Sequence, residues 1–494
     1  MGTLRLGVPE LGSIEQGARI GAPALSAPPG PKGTWLFGHL PEFRRDMLGF
    51  YSRCARDYGD MVSFRLGLKK HVLVSHPRLI EEVLVTQNQK FGKHYALQFL
   101  RPVLGNGLLM SEGKFWLQQR RRMQPAFLRQ RIEGYAPIVL THAQRMLGEW
   151  REGQVRDIHQ DMMRLALAVA VQALLNVDLD HDCREVGDLL DLIMKDFSYR
   201  FESAFPVPFW LPTRWNRRVK KAIRRLEYII AGIIQQRRKE FKKGTVPSAN
   251  VQENCQKEDL LSTLIQARDE ESHDDMSDRQ LRDEVMTLFL AGHETTANAL
   301  AWTWYLLAQH PEAEEKMLAE IEAVLQGRPP TAADLAKLRF TESVFLESMR
   351  LFPPAYAFGR EVLQECMLGG YRLPAGTTVL MSQWVMHRDG RYFDQADQFI
   401  PERWLTGLAQ RLPKFVYFPF GGGPRGCIGN TFAMMEGVLV LAALAPHVHF
   451  RLVPDLPVEP WPSVTLRPKH GIRATLYRRE GGRRNQSPGV PGNS

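Results

Sequence analysis

Apolar residues recur every three or four positions over most of the chain between Pro28 and Arg479, the spacing of one face of an α-helix, and the expected fold is mainly α. The longest run opens at Ser277, an N-cap residue type, with Gln280 three places on completing a capping-box signature. It continues from Asp278 to Gln309 until His310-Pro311 stops it. At about 1.5 Å per residue, such a helix crosses a whole domain. A second run, 214–240, repeats Ala222, Ile223, Leu226, Ile230 and Ile233 at helical spacing, and a third, Asn430 to Leu444, is apolar and helix-prone. Alternation takes over only in Met61 to Leu66, His71 to Val74 and Thr377 to Leu380, which predicts a small β region. Residues 1–27 and 480–494 lack apolar periodicity and are expected to be disordered, and the polar stretch 244–257 reads as a surface loop. No repeat and no long linker divides the rest, so residues 28–479 are expected to form one large domain.

With 44% hydrophobic and 24% charged residues over 494 positions, the chain has ample material for a core and is neither fibrous nor broadly disordered. Its five cysteines, at 54, 183, 255, 366 and 427, show no C-x-x-C spacing, which argues against a disulfide framework or zinc knuckle and for a reducing cytoplasm. Residues 1–27 include Arg5, Glu10, Glu15 and Arg19 and form neither a signal-peptide core nor a membrane-spanning run, so a soluble protein is expected. The net charge of +10 attracts nucleic acid, an acidic membrane or an acidic protein alike. Arg217, Arg218, Lys220, Lys221, Arg224 and Arg225 crowd the start of the 214–240 helix. Charge runs of this kind are usually a solvated face, and nucleic acid is not expected as a partner. Membrane-surface contact stays open, because Phe205 to Trp210 adds apolar weight beside them.

Candidate chemistry centres on residues 420–429, Phe-Gly-Gly-Gly-Pro-Arg-Gly-Cys-Ile-Gly. Glycines at 421, 422, 423, 426 and 429 leave almost no side chains around Cys427, so a large flat cofactor can approach the backbone. The helix predicted from Asn430 puts Cys427 just before an N-terminus, where unpaired N–H groups and the helix dipole favour thiolate over thiol. A thiolate in a glycine-rich loop is what an axial haem iron ligand requires. Gly421, Gly423 and Gly426 also spell G-x-G-x-x-G, but Pro413 to Phe420 holds two prolines where a strand is needed, and no Asp or Glu lies between Glu436 and Asp455. At Phe420, Gly423, Arg425, Cys427 and Gly429 the chain resembles the cytochrome P450 family of haem-thiolate monooxygenases.

The resemblance extends through the long helix. Ala291-Gly292-His293-Glu294-Thr295-Thr296 interrupts an apolar segment with polar groups that are costly to bury without partners or a task. Threonines that bond back to the preceding turn and bend the helix would account for part of it. A metalloprotease motif is excluded, since Ala297 stands where the second histidine belongs. The segment is similar to the family's oxygen-binding groove, which implies that Ala291 and Gly292 make room, that Thr295 stabilises bound dioxygen and that Glu294 helps relay protons. Members that use peroxide directly usually lose this acid–alcohol pair. By the same resemblance Glu347, Arg350 and Arg403 form a structural charge triad, and Trp116, Arg120, Arg360, Arg425 and, more weakly, His387 hold the haem propionates. Phe420 packs near the sulfur.

The resemblance implies a mainly α cytochrome P450 fold and haem b (iron protoporphyrin IX) as cofactor, with one atom of dioxygen inserted into a lipophilic substrate, a fatty acid or terpenoid. Its pocket would draw on Phe91 to Met110, Phe197 to Trp210, Ala355 to Gly359 and Val464 to Leu466. No flavin or ferredoxin segment follows the haem region, so electrons are expected from a separate ferredoxin or flavodoxin with its reductase, docked near Arg121, Arg122 and Lys414. Pro28-Pro29-Gly30-Pro31 looks like the hinge of microsomal members without their transmembrane anchor, which implies a soluble bacterial type. A peroxide-driven peroxygenase and a non-catalytic haem sensor or carrier are the alternatives.

Overall fold

The computed structural model describes residues 27–177, 183–203, 207–243, 259–266 and 276–479. The terminal segments and the 244–257 loop of the sequence analysis lie outside the described residues. The principal helices are α1 (Gly113–Met123), α2 (Ala136–Glu149), α3 (Ile158–Leu175), α4 (Cys183–Glu202), α5 (Arg214–Lys242), α6 (Asp278–Gln309), α7 (Arg339–Leu351) and α8 (Asn430–Leu444).

Helix α6 runs between the limits that its sequence signals set. The Ser277 hydroxyl accepts from the Gln280 N–H at 3.2 Å, but the reciprocal half of the capping box is absent. The Gln280 side chain turns instead to Glu284 one helical turn on, at 2.6 Å. Because α6 lies through the middle of the molecule it is buried on nearly all sides, including Trp302 and Trp304, and packs along α3, α7 and α8. Beyond its first turn helix α8 is apolar but for the buried Glu436, and correspondingly enclosed, and a Cβ at Gly437 would fall 2.3 Å from the Phe345 ring of α7. That glycine lets two helices approach closely behind the Cys427 loop.

Helix α5 buries Ala222, Ile223, Leu226 and Ile230, with Ile233 partly buried, while Arg217, Arg218, Lys221, Arg224 and Arg225 lie on its exposed side. The run of cations is therefore a solvated face of an amphipathic helix.

The β region holds more than the three alternating segments suggest. Strands β1 (Met61–Leu66) and β2 (Lys69–Val74) form a hairpin, and β3 (Phe91–Lys93), β4 (Phe358–Val362) and β5 (Thr378–Met381) extend it in the order β1-β2-β5-β4-β3. Strand β2 runs parallel to β5, with His71 opposite Thr378, whereas β4 is antiparallel to both β5 and β3. Near the C-terminus β6 (Pro460–Pro462) pairs with β7 (Leu466–Pro468). Strands of three residues show too little alternation to be read from sequence, and their pairing decides them.

Candidate active site

The loop before α8 is shaped by contacts more than by open space. Gly421 and Gly423 both have φ +67°, the left-handed region that favours glycine. A Cβ at Gly423 would stand 2.1 Å from the Leu84 carbonyl oxygen, and one at Gly422 would stand 2.2 Å from the Phe415 ring. Those two glycines therefore let the loop pack on its neighbours, whereas Gly429 has room for a Cβ and uses its N–H to bond the Cys427 sulfur. The Cys427 N–H in turn donates to the Phe420 carbonyl at 3.0 Å, which closes the loop.

Cys427 keeps exposed surface, yet enough protein surrounds it that burial pushes its thiol up, against the opposing pull of the Gly429 N–H and the Arg120 charge. The Gly429 N–H, at the start of the helix, thus acts in the direction the sequence analysis expected, and burial acts against it.

Across α6, Thr295 and Glu294 go separate ways. Ala291 is exposed, and Thr295, half-exposed, donates its hydroxyl back to the Ala291 carbonyl at 2.8 Å. Thr296 does the same to Gly292 at 3.3 Å, so the back-bonding weighed from sequence is present at both threonines. Glu294 is 1% exposed and its Oε1 accepts from the Arg467 Nε at 2.7 Å and from the Thr465 hydroxyl. Burial opposes its ionisation, but the Arg467 charge and these hydrogen bonds outweigh it and hold the carboxyl below its usual range. Arg467 also reaches Asp191 of α4 at 3.2 Å.

A cluster of cations lies beside the loop. Arg425 pairs with Glu112 and stacks over Trp116 of α1 at 5.0 Å, but its buried Nη1 has no hydrogen-bond partner among the described residues. Arg360 on β4 stacks over Phe358 at 5.3 Å, and among the described residues its side chain donates only to the neighbouring Gly359 carbonyl, at 3.1 Å. Lys93 on β3 donates to the carbonyls of Leu108, at 3.1 Å, and Ser111. Burial first and the Arg425 charge second bring Arg360 down to about 10 and Lys93 down to about 7. Burial likewise lowers Arg120, four residues after Trp116, although the nearby Cys427 opposes it.

His387, the weaker propionate candidate, packs its ring on Tyr417 and Phe418. It is fully buried, its Nε2 accepts from the Phe418 N–H at 3.0 Å and its carbonyl accepts from Arg350 at 2.8 Å. Burial, then Arg350 and Arg388, push its imidazole well below the usual range, so it is neutral where it lies. Arg350 and Glu347 bond twice at 2.9 Å, and Glu347 also accepts from Arg403 at 3.0 Å, Trp404 Nε1 at 2.8 Å and the Ile400 N–H at 3.0 Å.

A cavity of about 940 Å³ is lined by residues that include Phe43, His71, His94, Tyr95, Phe201 and Trp384. Cys427 and Thr295 are not part of its lining. His94 connects the two regions, since a Cβ at Gly359, the residue before Arg360, would fall 2.4 Å from its ring.

Residues 28–472 match the family model Cytochrome P450. The chain belongs to the cytochrome P450 family. It is 37% identical over 439 residues to cyclooctatin synthase of Streptomyces melanosporofaciens, covering 88% of this chain and 92% of that protein. Pentalenene oxygenase of Streptomyces avermitilis is 30% identical over 458 residues, with 92% and 97% covered. Among solved structures, retinoic acid bound cyanobacterial CYP120A1 superposes with a TM-score of 0.80 at 26% identity, over 92% of this chain and all of that one. The P450 is a haem monooxygenase.

The donor set suits that cofactor. Lys93, Arg360 and Arg425 crowd together with Glu112 and a Glu284 that burial raises to about 7 to balance them, and among the described residues one buried guanidinium nitrogen of the set has no hydrogen-bond partner. Such a cluster is relieved by a ligand that carries two carboxylates, as haem does. Lys93, Glu112 and Arg467 were not singled out by sequence reasoning. Lys93 lay inside a segment read as pocket wall, Arg467 directly followed another, and Glu112, four residues before Trp116, carried no motif of its own.

Proposed function

We propose that this P450 hydroxylates a terpenoid-like substrate with one atom of dioxygen, the other leaving as water, for two electrons and two protons supplied from outside. The observation that carries the reaction class is a cysteine sulfur that accepts a backbone N–H beside a set of under-neutralised cations. When bound, haem supplies the oxygen-activating iron and draws electron density from its sulfur ligand. Cys427 holds that iron, Gly429 tempers the sulfur through its N–H, and Phe420 packs beside it. Trp116, Arg120, Lys93, Arg360 and Arg425 hold the propionates, and Gly423 fixes the path of the loop. Ala291 clears space over the iron, Thr295 orients proton supply there, and Glu294 holds a proton acceptor in reserve behind it. The substrate class rests on relatives whose names are cyclooctatin synthase, cyclooctat-9-en-7-ol 5-monooxygenase and pentalenene oxygenase, and on the apolar segments about the groove.

Electrons come from a separate ferredoxin or flavodoxin with its reductase, in the cytoplasm. Its acidic face docks near Arg121 and Lys414, of which Lys414 already pairs with Glu81 at 3.2 Å. Among the described residues no helix is long and apolar enough to cross a membrane. Trp210, 75% exposed ahead of α5, is a candidate for peripheral contact.

The test is a substrate-binding difference spectrum across cyclic terpenoids and fatty acids, followed by turnover under ¹⁸O₂. Label in the product of a terpenoid supports the reading. A ferrous carbonyl spectrum without the red-shifted Soret band of sulfur ligation rejects the Cys427 assignment. Product formed equally well from hydrogen peroxide and unlabelled under ¹⁸O₂ moves the enzyme to the peroxygenase class.

A further inference from the structure

Glu294 is held from a second side. Asn298 follows it by one helical turn, on the same face of α6, and is fully buried with both ends of its amide engaged. Its Oδ1 lies 2.9 Å from His159 Nε2 of α3, and its Nδ2 donates to Thr465 Oγ1 at 2.9 Å. Thr465, which accepts from that amide, has its own hydrogen left for Glu294 Oε1. The hydrogens therefore all point one way, from His159 through Asn298 and Thr465 to a single carboxylate oxygen. That oxygen also takes the Arg467 Nε–H, while Oε2, buried as well, has no hydrogen-bond partner among the described residues. An amide nitrogen does not pass protons along, so this arm orients and does not conduct. The other charged groups that face it are Asp157, which caps α3 through the His159 N–H at 3.1 Å, His293 on α6, and Asp191 across Arg467.

We propose that His159, Asn298 and Thr465 form a positioning arm that anchors Oε1 of Glu294 and leaves Oε2 as the oxygen of that carboxylate presented for proton supply. The inference rests on the role proposed for Glu294 and goes beyond it by assigning the three residues that set its geometry.

Thr465→Val removes the hydroxyl at nearly constant shape, and Thr465→Ser keeps it. In haem-loaded, full-length protein the Glu294 carboxylate is followed by infrared difference titration, with Glu294→Gln as the assignment standard, and His159 by its ring C–H resonances. Thr465→Val is expected to raise the proton affinity of Glu294 about tenfold, one pKa unit, and to shift the His159 titration, with Thr465→Ser restoring both. Unchanged titrations in a folded Thr465→Val protein, or a serine variant that behaves like valine, overturn the arm. If Thr465→Val does not fold, His159→Phe at the outer end is expected to raise the affinity about threefold, and no change there overturns the proposal too. Turnover unaffected by Glu294→Gln would instead remove the role of Glu294 in proton supply and leave these titrations as they are.

Discussion

Two clusters of charge touch the segment that carries Cys427, and they are built on opposite terms. Around Glu347 every charge is answered: five donors converge on one carboxylate, and Arg350 spends its remaining N–H groups on the carbonyls of His387, Ala396 and Gln398. Around Arg425 the charges are in excess, three cations against Glu112 and a Glu284 that burial raises to about 7, with a buried guanidinium nitrogen unbonded among the described residues. A buried charge that is fully satisfied belongs to the fold, and one that is not is waiting for something else. The contrast separates scaffold from site without reference to motif.

Substitutions at each cluster should therefore fail differently. The largest effect is expected at Glu347→Gln, which strands Arg350 in the core. A loss of about 3–5 kcal/mol of stability, read by urea unfolding of the chain without haem, is expected from breaking a buried pair. Arg425→Leu should leave that unfolding curve nearly unmoved and instead weaken haem retention, by about 1.5–3 kcal/mol for a lost charge-assisted bond, measured by transfer to apomyoglobin. If both variants lost stability equally, the distinction between the clusters would fail.

A smaller effect concerns pH. Lys93, held near 7 in the fold, keeps its proton up to the ordinary lysine range when unfolded, so between those values the unfolded chain binds more protons. The haem-free protein should accordingly gain stability as pH rises from about 7 towards 10, and Lys93→Met should flatten that slope. Haem loading should flatten it as well, because its carboxylates keep Lys93 charged. The smallest effect is expected at Arg403→Lys, about 1 kcal/mol or less, since Glu347 retains four other donors.

Much of this was legible in the chain beforehand. Helix α6 could be placed from Ser277 to His310-Pro311, and the hairpin β1–β2 from its alternation, because local signals and tertiary structure agree there. The charge triad and the Cys427 loop were found by pattern. What could not be read was direction. Glu294 and Thr295 are adjacent in sequence but about 100° apart around the helix, so one reaches Arg467 while the other stays at the groove. The direction of the His387 ring was hidden for the same reason, since only the packing of Phe418 shows it. Lys93 joins the cations through a three-residue strand that owes its existence to Arg360 opposite it.

The parallel pairing of β2 with β5 carries a consequence for how the molecule is made. His71 meets its partner Thr378 only after 307 further positions have been added. At about 5–20 residues per second on the ribosome, the β1–β2 hairpin waits roughly 15–60 s with an open edge. Slow synthesis or a missing chaperone should therefore trap nascent chains by that edge, before any porphyrin has a pocket to enter.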